Sequence, residues 1–121
     1  MPLYENNPLD TYVVSAYMAD LSTASSAFAV APVRGRIVKV YSVIYNAITG
    51  ADAVWTMEIN GVAVTGVSVT VTQSGSAAGD VDSDEPTGAN TVNPGDAIEF
   101  ISDGASSTTA PAMFFAVIRE E

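Results

Sequence analysis

The chain has no cysteine and no histidine among its 121 residues. The first absence excludes a disulfide framework and thiolate chemistry. The second removes the commonest general acid/base near neutral pH and the commonest metal ligand. Positive charge is also scarce. Four basic residues face fourteen acidic ones, for a formal net charge of −10. A surface of that sign repels phosphate backbones and anionic bilayers, so neither nucleic acid nor membrane is expected as a partner. No apolar run is long enough to span a bilayer. The opening Met1-Pro2-Leu3-Tyr4-Glu5 has neither the basic region nor the apolar stretch of a secretory leader, and a soluble protein made in the cytoplasm is expected.

Charged residues of all kinds make up only 15%, and hydrophobic ones 48%. Ala, Val, Ser, Thr and Gly dominate, a composition that favours short strands and small-residue turns over surface helices. The one helical candidate, residues 18–27, is weakened by Ser22, Thr23, Ser25 and Ser26. A length of this order suits one domain, with residues 1–10 as an extended arm rich in proline and asparagine and residues 11–121 as the folded unit.

Alternation of apolar and polar residues predicts strands over 11–18, 26–31, 36–45, 52–59, 62–64, 66–72, 97–101 and 111–119. In 36–45, the set Val38, Val40, Ser42 and Ile44 is the more apolar and is expected to face the core. Asn60-Gly61 is the strongest turn signal, since both central positions of a type I′ turn need positive φ. Asn93-Pro94-Gly95-Asp96 is a second turn, with Pro presetting φ and Gly taking the positive value. Residues 73–92 read as a long polar loop holding one short edge strand near Asp80 and Val81. Seven or eight short strands joined by Gly, Pro and Ser turns predict an all-β antiparallel sandwich of jelly-roll type.

Catalytic and metal chemistry find little support. Alternating carboxylates at Asp80, Asp82, Asp84 and Glu85 could meet a calcium ion. An EF-hand register beginning at Asp80 would put Glu85 where Gly is needed and Thr91 where Glu is needed, so a solvated acidic loop is the preferred reading. Without histidine, a serine nucleophile would need another base, and Lys39 is the only lysine. No enzyme activity and no cofactor are expected. Arg34, Arg36 and Lys39 form the one local reversal of charge. Two readings stay open: ordinary charge that discourages edge-to-edge strand pairing, or a patch for an acidic partner. Aromatic residues at strand positions are expected in the core, but Phe114 and Phe115 are adjacent and must point to opposite faces, so one of them suits a subunit interface.

Residues 33–119 resemble a family of small tailed-phage proteins, the capsid decoration (cement, or head-stabilising) proteins. The resemblance is carried by the ordered succession from Pro32 to Gly66 and from Val71 to Gly104, within which Ile59-Asn60-Gly61, the run from Gln73 to Asp80, and Val92-Asn93-Pro94-Gly95-Asp96 are the most family-like. It implies a jelly-roll-like sandwich on the outer capsid surface, the major capsid protein as partner, a homo-oligomer with a trimer ahead of a dimer, and a role in bridging and stabilising the shell. It carries no catalytic residues. Leu3, Tyr4 and Leu9 of the arm, with Arg34, Arg36 and Lys39, are the expected capsid or subunit contacts. The alternative is a receptor- or carbohydrate-binding sandwich from a phage fibre or tail, with the loops at 73–92 and 102–110 as ligand contacts.

Overall fold

The structure, a computed structural model, describes residues 10–121. The expected arm contacts Leu3, Tyr4 and Leu9 lie outside the described residues. Nine strands are present among the described residues: β1 (Thr11–Met18), β2 (Ser25–Val30), β3 (Gly35–Ile44), β4 (Ala53–Ile59), β5 (Val62–Val71), β6 (Val81–Asp84), β7 (Thr91–Val92), β8 (Ala97–Ser102) and β9 (Ala112–Glu120). The segment after Met18 turns directly into β2 instead of forming a helix.

All pairings between strands are antiparallel. One sheet runs β1-β9-β3-β6, with β7 also paired to β3; the other runs β2-β8-β4-β5. First pairs with last, second with second-last, and so inward to the β4–β5 hairpin. The chain is therefore one long hairpin rolled up into two layers, the topology of a jelly roll. Its tip is Asn60-Gly61, at φ 49° and 83°, with Ile59 and Val62 paired across the turn. Both φ values are positive, as a type I′ turn requires.

The two turns read from the sequence meet in space. The Asn60 side chain donates to Asp96 Oδ1 at 2.9 Å and accepts from the Ala97 amide at 2.9 Å, while Asp96 Oδ2 accepts from the Asn93 amide at 2.8 Å. These bonds hold the carboxyl of Asp96 below its ordinary range; the Asn93 amide is the larger cause and Asn60 the next.

The core lies between the sheets. Trp55 of β4 and Phe100 of β8 pack against Phe114 of β9, which crosses from the facing sheet, with ring centroids 5.0–5.8 Å apart. All three are fully buried. Trp55 Nε1 donates to Ser42 Oγ of β3 at 3.0 Å, so the one indole is satisfied across the interlayer.

The expected facing of β3 holds from Val40 to Ile44 and fails before it. A bulge between Ile37 and Lys39 shifts the register against β9. Ile37 is therefore fully buried, whereas Val38 is half-buried. An extra residue in one strand reverses the in/out sequence beyond it. On the other side of the bulge, Asn90 accepts the Ile37 amide through its backbone carbonyl and donates to the Ile37 carbonyl through its side chain.

The two predicted strands 62–64 and 66–72 are one strand, β5, that passes through Gly66 at φ 88°. Thr65 there exchanges backbone hydrogen bonds with Thr87 and Gly88, and Ser68 donates its amide to Asp84. These bonds tie the edge of one sheet to the β6–β7 segment of the other. The segment read as a long loop with one short edge strand near Asp80 and Val81 thus contributes that strand, β6, and a second, β7.

Two outcomes test this account. Phe114→Ala should lower unfolding free energy by about 3–5 kcal/mol through transfer loss and cavity formation, read from the denaturant midpoint. Asp96→Ala should lower the thermal midpoint at pH 7. Because the folded carboxyl has a depressed pKa, its contribution is present above the ordinary carboxylate value and lost as pH falls through the folded one. The gap between variant and parent should therefore narrow on acidification; a gap constant with pH would refute the clamp.

Candidate functional site

An antiparallel sheet covering a core normally alternates apolar residues inward with polar residues outward. The four-stranded sheet follows this rule over most of its outer face, where Thr56, Glu58, Ser68, Thr70 and Glu99 lie. The five-stranded sheet does not. β9 reads Ala-Met-Phe-Phe-Ala-Val-Ile before its first polar residue, Arg119. Ala112, Phe114, Ala116 and Ile118 are buried in the core, so Met113, Phe115 and Val117 point outward, each half-buried. Of the adjacent phenylalanines, Phe114 is the core residue and Phe115 the outward one.

Register places neighbours beside them. Tyr17, Met113, Val43 and Val81 form one row across β1, β9, β3 and β6; Ser15, Phe115, Tyr41 and Ser83 form the next; Val13, Val117 and Lys39 form a third. Tyr45 extends the surface past the end of β3, its ring centroid 6.3 Å from that of Tyr17. The β9 side chains at the middle of all three rows are apolar, with Ser15 and Ser83 at the margins of the second and Lys39 in the third. A strand apolar on both sides is the pattern of a sheet covered on both sides.

A fourth row is cationic. Arg36 of β3 lies directly opposite Arg119 of β9, with Thr11 of β1 beyond it. Like charges directly opposite one another are unfavourable unless other charges compensate. Arg36 meets Glu121 at 2.8 Å, and Lys39 meets Glu85 at 3.5 Å while lying 5.7 Å from the Tyr41 ring centroid. Arg34 is exposed in the turn before β3, and its carbonyl accepts the Glu121 amide. The structure thus brings Arg34, Arg36 and Lys39 to one end of the outer face and adds Arg119. Sequence spacing could not reveal that addition, because the β3–β9 pairing joins distant segments.

The acidic segment forms no cation cage among the described residues. Its carboxylates serve the backbone: Asp80 accepts from the Ala77 amide, and Asp84 from the Ser68 and Glu85 amides. Asp82 lies opposite buried Ser42. Its carboxyl is raised above the ordinary range, first by desolvation and then by the charge of Asp80. An open groove of about 330 Å³ lies beside Tyr17, lined in part by Asp20, Thr23 and Ser26. Asp20 is occupied there by bonds from Ser22, Thr23 and the Ala110 amide.

No family model matches the sequence, and no curated protein matches it. Solved structures do match its fold. A chain of the cyanophage Pam1 capsid asymmetric unit is 17% identical, with a TM-score of 0.58 over 93% of this chain and 86% of that one. A chain of the acid-stable capsid of Helicobacter pylori bacteriophage KHP30 is 8% identical, with a TM-score of 0.59 over 90% and 86%. The module CsCBM6-3 of Clostridium stercorarium, solved with cellobiose, is 10% identical, with a TM-score of 0.51 over 93% and 83%. What these chains share with the present one is the sandwich fold.

Asp82 supplies a check on the site's edge. A carboxyl raised in the folded state contributes most when protonated and opposes folding as pH rises through the carboxylate range. Asp82→Asn should therefore raise the thermal midpoint at pH 7 and have no such effect in acid below the ordinary value of about 3.9.

Proposed function

We propose that this protein is a structural component of a phage virion that binds the outer surface of the capsid and stabilises the shell by bridging major capsid protein subunits. The observation that carries the reading is the apolar outer face of the five-stranded sheet, with Met113, Phe115, Val117, Tyr41 and Val43 at its centre and a cationic end at Arg36 and Arg119. Such a face suits a protein surface, where apolar area gives affinity and charge gives orientation. The fold is compatible with this role, since chains of two phage-capsid structures adopt it. The net charge of −10 suits the exterior of a DNA-filled shell better than its lumen. The role is adhesive and not catalytic: the interface adds buried area that must be lost before neighbouring capsomers separate. Leu3, Tyr4 and Leu9 of the arm are assigned to the same contact as its apolar anchors.

A second reading, a carbohydrate-binding module of a fibre or tail, is favoured by the exposed Tyr17–Tyr45 pair and its neighbouring groove. Binding of the purified protein to expanded, undecorated heads separates the two. The parent should saturate heads. Val81→Asp, which changes an exposed side chain, should reduce affinity by about tenfold or more with unchanged thermal stability. Deletion of residues 2–9 should weaken binding as well. Parent protein that ignores heads but is retained by immobilised glycans would overturn the first reading in favour of the second.

A further inference from the structure

The two sides of the sandwich are closed differently. On one side, the edge of β5 is tied to the β6–β7 segment through Thr65, Ser68, Asp84, Thr87 and Gly88. On the other, β1 pairs only with β9 and β2 only with β8 among the described residues. Long strands with an unpaired edge are usually guarded by lysine, proline, bulges or charge. Here neither β1 (TYVVSAYM) nor β2 (SSAFAV) holds a charged residue or a proline, and both are regular in register. Of the seven large apolar residues that stand exposed among the described residues, four lie on these two strands: Val13 (60%), Tyr17 (57%), Phe28 (62%) and Val30 (61%). In a chain of net charge −10, a side whose two edge strands carry no charge is where a second copy can approach with least repulsion.

We infer that a second copy of this chain pairs with β1, antiparallel and about a two-fold axis, to make one continuous sheet from the two five-stranded ones. Residues directly opposite must share a face, so the axis passes through a residue and not between two. Centring on Val14 would set Val13 against Ser15 and Tyr17 against Thr11, leaving neither exposed apolar side chain with an apolar partner. Centring on Ala16 would shorten the match and set Tyr17 against Ser15. Centring on Ser15 sets Val13 against Tyr17 on the outer face, and Val14 against Ala16 and Tyr12 against Met18 on the inner one. That register covers the two exposed apolar side chains of β1 with each other and pairs no charge within the strand; Asp10 and Asp20, which it brings opposite each other, lie beyond the ends of β1.

The dimer deepens the proposed capsid-binding role. Four strands about 4.8 Å apart and about eight residues long at ~3.3 Å each present roughly 500 Å². A standard interface needs about 800 Å² from each partner, which one copy lacks and two side by side exceed. The two-fold keeps both outer faces on the same side of the joined sheet.

Because the chain has no cysteine, Ser15→Cys introduces a single thiol that this register places opposite itself, at a Cα separation of about 4.5–5.5 Å that a disulfide spans. Under mild oxidation, Ser15→Cys should become a covalent dimer as the main product, whereas Ser83→Cys, on β6 at the closed side, should remain monomeric. Sedimentation of the parent should give the dimer mass, and Val13→Lys with Tyr17→Lys should give the monomer mass with circular dichroism unchanged. A parent that sediments as a monomer or a trimer, or a Ser15→Cys protein that cross-links no faster than Ser83→Cys, would overturn the inference. Both readouts use the isolated protein, so failure to bind heads would leave the dimer standing, and failure of the dimer would leave head binding to be judged separately.

Discussion

Two sheets can share one core only if their separation and relative placement are fixed, and here that task falls to Trp55. Its ring leans on Phe100 within its own layer and on Phe114 from the facing one, and its single N–H reaches Ser42 across the gap. Dispersion sets the distance between layers, while the hydrogen bond selects one register among those that packing alone would tolerate. The consequences run outward. With Ser42 held inward, Tyr41 and Val43 must point out; with Phe114 inward, Phe115 and Met113 must do the same. The apolar outer surface is thus the obligatory reverse of the core, and its character depends on which residues the sequence places at the alternate positions.

The rolled-hairpin topology explains why the two sides of the sandwich differ. The hairpin tip and the strands next to it come from the middle of the chain, where the β5–β7 region has enough polar residues and glycines to reach across and seal one side. The ends of the hairpin, β1 and β9, have no such reserve: β1 and β2 are simply where the roll stops. Pairing first strand with last also means that most native contacts join distant residues, a topology that folds slowly relative to local ones. The clamp between the Asn60-Gly61 and Asn93–Asp96 turns fixes two of those distant segments through side chains and spares them from relying on strand pairing alone.

Much of this was legible in the sequence for local reasons. Asn-Gly and Asn-Pro-Gly-Asp declare their φ requirements, and alternation locates β1, β4, β8 and β9 within a residue or two. The adjacent Phe114 and Phe115 already implied that one large ring must leave the core. What was not legible depended on partners. The bulge beside Val38 exists because β9 and Asn90 together set the register around it, so the inward turn of Ile37 follows no pattern within β3 itself. Gly66 read as a break because a glycine in a strand usually is one; here it lets β5 bend toward Thr87 and continue. Within residues 73–92 the edge strand expected near Asp80 and Val81 is β6, whereas β7, two residues long, gave no local signal and is a strand only through its pairing with β3. Arg119 joined the basic cluster only when β9 was laid beside β3.

The lone tryptophan has one more consequence. Fully enclosed between two phenylalanines and reached by solvent from neither layer, it sits in an environment of low polarity that neither subunit pairing nor shell attachment would expose. Its fluorescence should be blue-shifted and shielded from soluble quenchers in the native state, and should change only when the layers part. The molecule therefore carries an internal optical gauge of its own cohesion, readable while its exterior is engaged.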